Sequence, residues 1–186
     1  MLCGTQAQRR TVDTSAGINV AGAHVQFSKS VKLLGVQHDN VLSMDSHVSV
    51  VVRGCNYHIR ALRHIRPRFD LNTAKMIAQG IVAALLDCCN SLMCGMSTRN
   101  LCRLQVTQST LARAVCSAPW STSATELRRS LHWLPVRQRI DYKTALIAFQ
   151  ARQTGRPAYI TSLLQDYVPR HLRSTAYCYY NHLSVV

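Results

Sequence analysis

Cys88, Cys89 and Cys94 fall within seven residues of one another in "LDCCNSLMCG", and Cys102 follows close behind. Thiolates gathered in this way are the raw material of a zinc site, which needs four ligands in tetrahedral reach and usually takes them as two closely spaced pairs. The spacing argues against it. Steps of six and eight residues from Cys88 to Cys94 to Cys102 contain no Cys-x-x-Cys knuckle, and no His-x-x-x-His pair stands by to complete a set. On a helix, the adjacent Cys88 and Cys89 side chains would also point about 100 degrees apart. The expectation is therefore no metal site, with these thiols packing as small, buried or half-buried hydrophobes.

Other chemistries fare no better. His47, His58 and His64 lie among arginines without a partner at triad or metal spacing, which suits surface or groove contacts better than catalysis. There is no Gly-x-Ser-x-Gly elbow and no phosphate-cradling glycine loop, so no cofactor is implied. The acidic residues Asp13, Asp39, Asp45, Asp70, Asp87, Glu126, Asp141 and Asp166 never stand adjacent, and Asp45 and Glu126 suit helix caps. A two-metal phosphoryl-transfer centre needs converging carboxylates. Nothing in the spacing supplies them, and no catalytic residue is assigned.

The arginines form a different pattern. Lys and Arg number 22 against 8 Asp and Glu, for a net charge of +14. A field of that sign favours polyanions. Arg53, Arg60, Arg63, Arg66 and Arg68, then Arg99, Arg103 and Arg113, then Arg128, Arg129, Arg137 and Arg139 fall on successive helical stretches. Arg60, Arg63, Arg103 and Arg113, placed off the apolar stripes, are the candidate phosphate contacts for non-specific binding of RNA or DNA.

The elements that must position these side chains are set by hydrophobic period. A chain of 186 residues suits one domain with a core and is short for two. Around "NVAGAHVQF" and "VKLLGVQ" the pattern reads as two short strands, a short N-terminal β-hairpin. From Asp45 the period becomes helical: Val48, Val51, Val52, Cys55, Ile59, Leu62 and Ile65 share a face, Asp45 or Ser46 caps the start and Pro67 closes the end. Asn72 caps a second helix running toward Cys89, with Gly95 ending the region.

Ser97 opens a third helix, with Leu101, Leu104, Gln108, Leu111, Ala112 and Val115 as its buried stripe and Arg99, Arg103 and Arg113 on its exposed side. Ser123 and Glu126 form a capping box for a short helix. Pro135 begins another, through Ile140, Leu146, Ile147 and Phe149 to Gly155. A last amphipathic segment carries Tyr159, Ile160, Leu163, Leu164 and Tyr167. The fold class expected is mainly α, a hairpin followed by a helical bundle.

The longest apolar run, "IVAALL" at 81–86, falls far short of the roughly 20 residues needed to cross a bilayer, so no membrane partner is expected. The N-terminus carries no secretory h-region. The eight cysteines then belong to a reducing, intracellular compartment as thiols.

Several segments, in order, resemble a known family. "VKLLGVQHDNVLSMDSHV", "CNYHIRALRHIRP", "LDCCNSLMCG", "LCRLQVTQSTLARAV" and "LHWLPVRQRIDYKTALIAFQARQTGRPAYITSLLQDYVPRHLRS" together resemble the downstream part of a LINE-type (non-LTR) retrotransposon reverse transcriptase, over residues 29 to 174. A weaker trace stands at "MLCGT". The resemblance implies residual palm-edge strands and loop at 1–40, a helical thumb and connector at 41–168, and a disordered tail at 169–186. It implies that the "LLGV" strand lies past the catalytic hairpin and that the Mg2+-binding Tyr-x-Asp-Asp motif lies upstream. No position of this chain matches a catalytic residue of that family, so the fragment would be catalytically incompetent alone.

Departures from the family pattern are informative. Cys88 and Cys94 stand where tyrosines are expected, Ser109 stands where Asn is more usual, and beyond Ser174 the pattern is lost. Together they imply a truncated or degraded copy. If positions 88 and 94 are buried, ring loss there costs roughly a few kcal/mol, as for other large-to-small core changes. The competing reading is a translated transposon remnant or small helical interaction protein with no nucleic-acid role.

Overall fold

A computed structural model describes residues 1, 3, 4, 6–10 and 17–165. The expected tail at 169–186, Tyr167, Asp13 and Asp166 lie outside them. The fold is mainly α, with short strands preceding a helical bundle. A single turn, α1 (Gln6–Arg10), precedes the strands.

Each of the two strand stretches is a hairpin of its own, where the sequence suggests one strand apiece. β1 (Ile18–Val20) pairs antiparallel with β2 (Ala23–Val25), and β3 (Ser30–Leu33) with β4 (Val36–Asp39). Both turn in two residues, Ala21-Gly22 and Leu34-Gly35, with φ positive throughout. Such paired left-handed residues match the right-handed twist of the flanking strands, and glycine takes the second position without strain. β1 and β2 are solvent-exposed along their length, whereas β4 sets Val36 against the helices at 2 % exposure.

The bundle is organised by α2 (Asp45–Ile65) and α5 (Thr98–Cys116). They run parallel: Asn100 on the first turn of α5 reaches Asp45 on the first turn of α2, and Arg66 just past the end of α2 reaches Val115 near the end of α5. The expected stripes are largely buried, with Val52 and Leu101 half-buried at their margins. Val48, Val51, Cys55, Ile59 and Leu62 of α2 meet Leu104, Leu111, Ala112 and Val115 of α5, while Ile65 at the helix end is exposed. Met44 rather than Asp45 or Ser46 holds the N-cap position, with left-handed φ and no side-chain cap. The Asp45 carboxylate is instead taken up by Asn100.

Between the two parallel helices the chain returns as one helical rod: α3 (Leu71–Ile77), a π-helical stretch (Ala78–Ala83) and α4 (Ala84–Asp87). Asp70, not Asn72, caps it, accepting from Asn72 N–H at 3.1 Å and Thr73 N–H at 3.3 Å. Both residues are good caps, but only Asp70 takes the extended backbone that turns a side chain back onto the first amides. The rod buries Ala74, Ala78, Val82 and Leu86 under α2. It stops at Cys88, which is extended, and Cys89, which is left-handed, and a 3₁₀ turn (Asn90–Met93) follows.

Ser97 caps α5 as expected, accepting from Asn100 N–H. α6 (Ala124–Ser130) begins after Ser123, yet no side-chain cap forms there, so the expected capping box is absent. α7 (Val136–Thr154) starts after Pro135 and ends on left-handed Gly155. Val136, Ile140 and Ala151 are its buried residues, while Phe149 is 61 % exposed. α8 (Ala158–Leu163) likewise leaves Tyr159 and Leu163 in solvent. α7 packs on the bundle along a narrow line of three buried positions, and α8 folds back on α7. The core lies between α2 and α5, closed by the rod, by β4, and by Leu131, Trp133, Val136 and Ile140.

Candidate nucleic-acid interface

Because α2 and α5 are parallel, their C-terminal ends open at the same place, and cationic side chains are favoured there by the exposed carbonyls. Arg63 and Arg66 arrive from α2 and its extension, and Arg113 from the last turn of α5. α5 ends at Ser117 with φ 51, Ala118 N–H returning to the Arg113 carbonyl at 3.0 Å. This reversal carries the chain through Pro119 to Trp120, so that the indole faces the helix it has just left. Arg63, Arg66, Arg113 and Trp120, with Ala114, Ser117 and Ala118, line a groove of about 330 Å³.

The groove is built rather than incidental. The Arg113 guanidinium carbon lies 4.5 Å from the centre of the Trp120 ring, a cation–π contact. Arg113 Nη2 donates to the Thr122 carbonyl at 3.3 Å, while its Nε is buried without a partner. Arg66 donates from Nε to the Val115 carbonyl and from Nη1 to the Phe69 carbonyl, each at 2.6 Å, which fixes its fork. Arg63 is exposed. Behind them Arg128 on α6 donates to Ser109 at 2.8 Å, and burial, then the charge of Arg113, pull its pKa below the usual guanidinium value.

Among the described residues these charges have no carboxylate in ion-pair contact. The ion pair between described residues is Asp87–Arg139, in which Arg139 grips the carboxylate with Nε at 2.8 Å and with Nη2. Asp39 accepts from Ser43, Asp45 from Asn100, and Asp70 caps α3.

The four arginines expected at a phosphate surface divide. Arg63 and Arg113 meet in the groove. Arg60 is exposed on α2 outside it. Arg103 is not a free surface cation: it is half-buried, donating to the Ser49 hydroxyl at 2.9 Å and to Asn100 Oδ1 at 3.3 Å. A two-sided view of α5 misplaces it, since α2, α6 and α7 all pack on that helix and little of its circumference is left to solvent. Arg139 is likewise withdrawn from the basic surface by Asp87.

Sequence reasoning passed over Trp120 and gave Arg66 no special weight. The signal for Trp120 was a large aromatic in "SAPWSTS", a loop with no apolar period to bury it.

The cysteines are corrected as well. Cys88 and Cys94 are exposed because the rod ends at Asp87 and a tight loop carries them outward, Cys89 in the same loop is half-buried, and Cys102 is exposed on α5. The Cys88 and Cys89 sulfurs lie 4.0 Å apart. With no buried site at 88 or 94, a large penalty for ring loss does not arise there. Among the described residues the buried thiol is Cys55.

Among the described residues no three His, Cys, Asp or Glu side chains gather as a metal-ligand group. His47, expected at the surface, is buried beneath β4, its Nδ1 accepting from Gln37 N–H at 3.4 Å. Among the described residues no helix is long and apolar enough to cross a membrane. Comparison with models of protein families, with curated proteins and with solved structures finds no match.

Proposed function

We propose that the chain is the thumb and connector portion of a LINE-type reverse transcriptase, and that it binds RNA or DNA non-specifically through the basic face at the ends of α2 and α5. The family part of this reading rests on the ordered segments between residues 29 and 174. The binding part rests on one observation: three arginines share a groove with no carboxylate of the described residues in ion-pair contact, in a chain of net charge +14. Parallel helix C-termini contribute about half a negative charge each. Three guanidinium charges outweigh that sum, leaving roughly two positive charges to attract phosphate.

The test is salt dependence. Fluorescence anisotropy with a labelled duplex at several salt concentrations should give a log–log slope that becomes shallower by roughly 0.9 for each phosphate contact removed. Arg60→Gln with Arg63→Gln should flatten the slope by up to two contacts, whereas an unchanged slope rejects this surface. The chain alone is proposed to lack polymerase activity, and extension of a primed template with Mg2+ would overturn that statement.

A second reading, a helical interaction protein without nucleic-acid partners, is favoured by the exposed Tyr142, Phe149, Tyr159 and Leu163 on α7 and α8. Binding that shows no salt response selects it.

A further inference from the structure

Trp120 is 74 % exposed although it is one of only two tryptophans, and the other, Trp133, is buried. An indole left in water forgoes the stabilisation that burial of its large apolar surface would supply. Here it is nonetheless held in place, with Arg113 against one face of the ring and the reversal at Ser117 fixing the backbone on which it sits. A held aromatic face beside a cluster of phosphate-sized donors is how single strands are gripped: a base stacks on the ring while the backbone runs along the cations.

The surrounding donors fit the second half of that description. Arg66 is anchored by two carbonyls, so presenting its remaining N–H groups to an anion costs little further side-chain entropy. Arg63 is free to close from the exposed side. Arg128 stands behind the groove, its pKa lowered by burial and then by the charge of Arg113, and neither arginine has a carboxylate of the described residues in ion-pair contact. The groove, about 330 Å³, matches the small end of ligand pockets, roughly 300 Å³.

Double-stranded nucleic acid is a poor occupant of the ring. Its bases are already stacked and paired, and a single indole has no means to extract one without meeting the full cost of unstacking and unpairing it. A duplex can meet only the arginines.

We propose that this groove is a binding pocket for one unpaired nucleotide of a single-stranded RNA or DNA, with its base on the open face of Trp120 and its phosphate between Arg63 and Arg66. The proposal rests on the nucleic-acid reading above and adds strand preference to it.

The experiment compares oligothymidylate with a blunt hairpin duplex on the full chain, reading tryptophan fluorescence and anisotropy over a salt series. Oligothymidylate should quench the fluorescence, the signal coming from exposed Trp120 rather than buried Trp133. Trp120→Ala should weaken oligothymidylate binding about tenfold, roughly 1.4 kcal/mol, and leave duplex affinity and both salt slopes unchanged. Trp120→Phe should recover most of the loss. Since the side chain is largely exposed, both variants should melt like the parent, which circular dichroism verifies.

If Trp120→Ala leaves oligothymidylate affinity intact while both ligands still bind with a salt slope, the nucleotide pocket is overturned and the general basic surface stands. If neither ligand binds with a salt slope, both readings fall together.

Discussion

Asn100 Nδ2 donates to Asp45 Oδ1 at 2.6 Å, joining the first turns of two helices that are 55 residues apart in the chain. Asn100 is fully buried and also accepts from Arg103, which in turn donates to Ser49 on α2. A hydrogen bond to an ionised carboxylate contributes about 1.5–3 kcal/mol net. Asn100→Ala should therefore lower stability by about 2–3 kcal/mol, seen in urea as a lower midpoint with an unchanged slope. A loss below about 0.5 kcal/mol would show that this tie does not hold α2 and α5 together.

Gln108 sits in the apolar stripe of α5 but works as a polar clamp on the segment before α7. Its Nε2 donates to the Leu134 carbonyl at 2.8 Å, and its Oε1 accepts from Gln105, whose own Oε1 accepts from Val136 N–H at 3.0 Å. Gln108→Leu keeps the volume and removes the polar groups. Leaving the Leu134 carbonyl and the Gln105 amide without their partner should cost about 1–3 kcal/mol in chemical denaturation. An equally stable Leu variant would mean water satisfies both groups.

His47 makes stability depend on pH in a definite direction. Burial, then the charge of His38, holds its pKa below the ordinary 6.5, and with Nδ1 accepting from Gln37 the neutral ring carries its proton on Nε2. The unfolded chain takes up a proton near pH 6.5 where the folded one resists it. This contribution is complete above that pH and is lost as pH falls through the depressed folded value. Thermal melts should weaken between about pH 7.5 and about pH 5, and His47→Leu should make the fall shallower. An identical fall in the variant would assign the effect elsewhere.

Cys55 should behave unlike the other thiols. Burial pushes its pKa up to about 11, and its Sγ faces the Val82 carbonyl in the π-helical stretch. The thiolate is the reactive form, so alkylation at about pH 8 followed by peptide mass mapping should label Cys3, Cys88, Cys94 and Cys102 first and Cys55 only under denaturing conditions. Early labelling of Cys55 would mean that the α2 face against the rod opens readily.

Gly54 offers a gain. It lies in mid-helix, where glycine costs about 1 kcal/mol relative to alanine, and an added Cβ would meet only Leu85 Cδ1 at 3.9 Å. Gly54→Ala should raise stability by about that amount in a thermal melt. A lower melting temperature would show that α2 and the rod must approach more closely than this spacing indicates.

The stripes of α2 and α5 were legible because Val48 to Leu62 and Leu104 to Val115 obey a helical period and are buried by one another. The double hairpin was not, since Ala21-Gly22 and Leu34-Gly35 interrupt what reads as continuous strand. The bounds of α7 were legible from Pro135 and Gly155, but which of its apolar residues would be buried was not, and Phe149 is left in solvent. In the candidate site, Arg63 and Arg113 could be read from their places off the apolar stripes. Trp120 could not, because its relation to Arg113 depends on the chain reversal at Ser117, and Arg103 could not, because packing on several sides of α5 leaves no trace in a single helical period.

The parallel pairing of α2 and α5 also bears on biosynthesis. α2 is complete at Ile65, but its principal partner ends at Cys116, with the rod and the 3₁₀ turn made between them. At 5–20 residues per second a ribosome needs roughly 3–10 s to cover that distance. For that interval the apolar stripe of α2 has only β4 and the growing rod to cover it, so the face that α5 will bury stays open to water until the chain reaches Cys116.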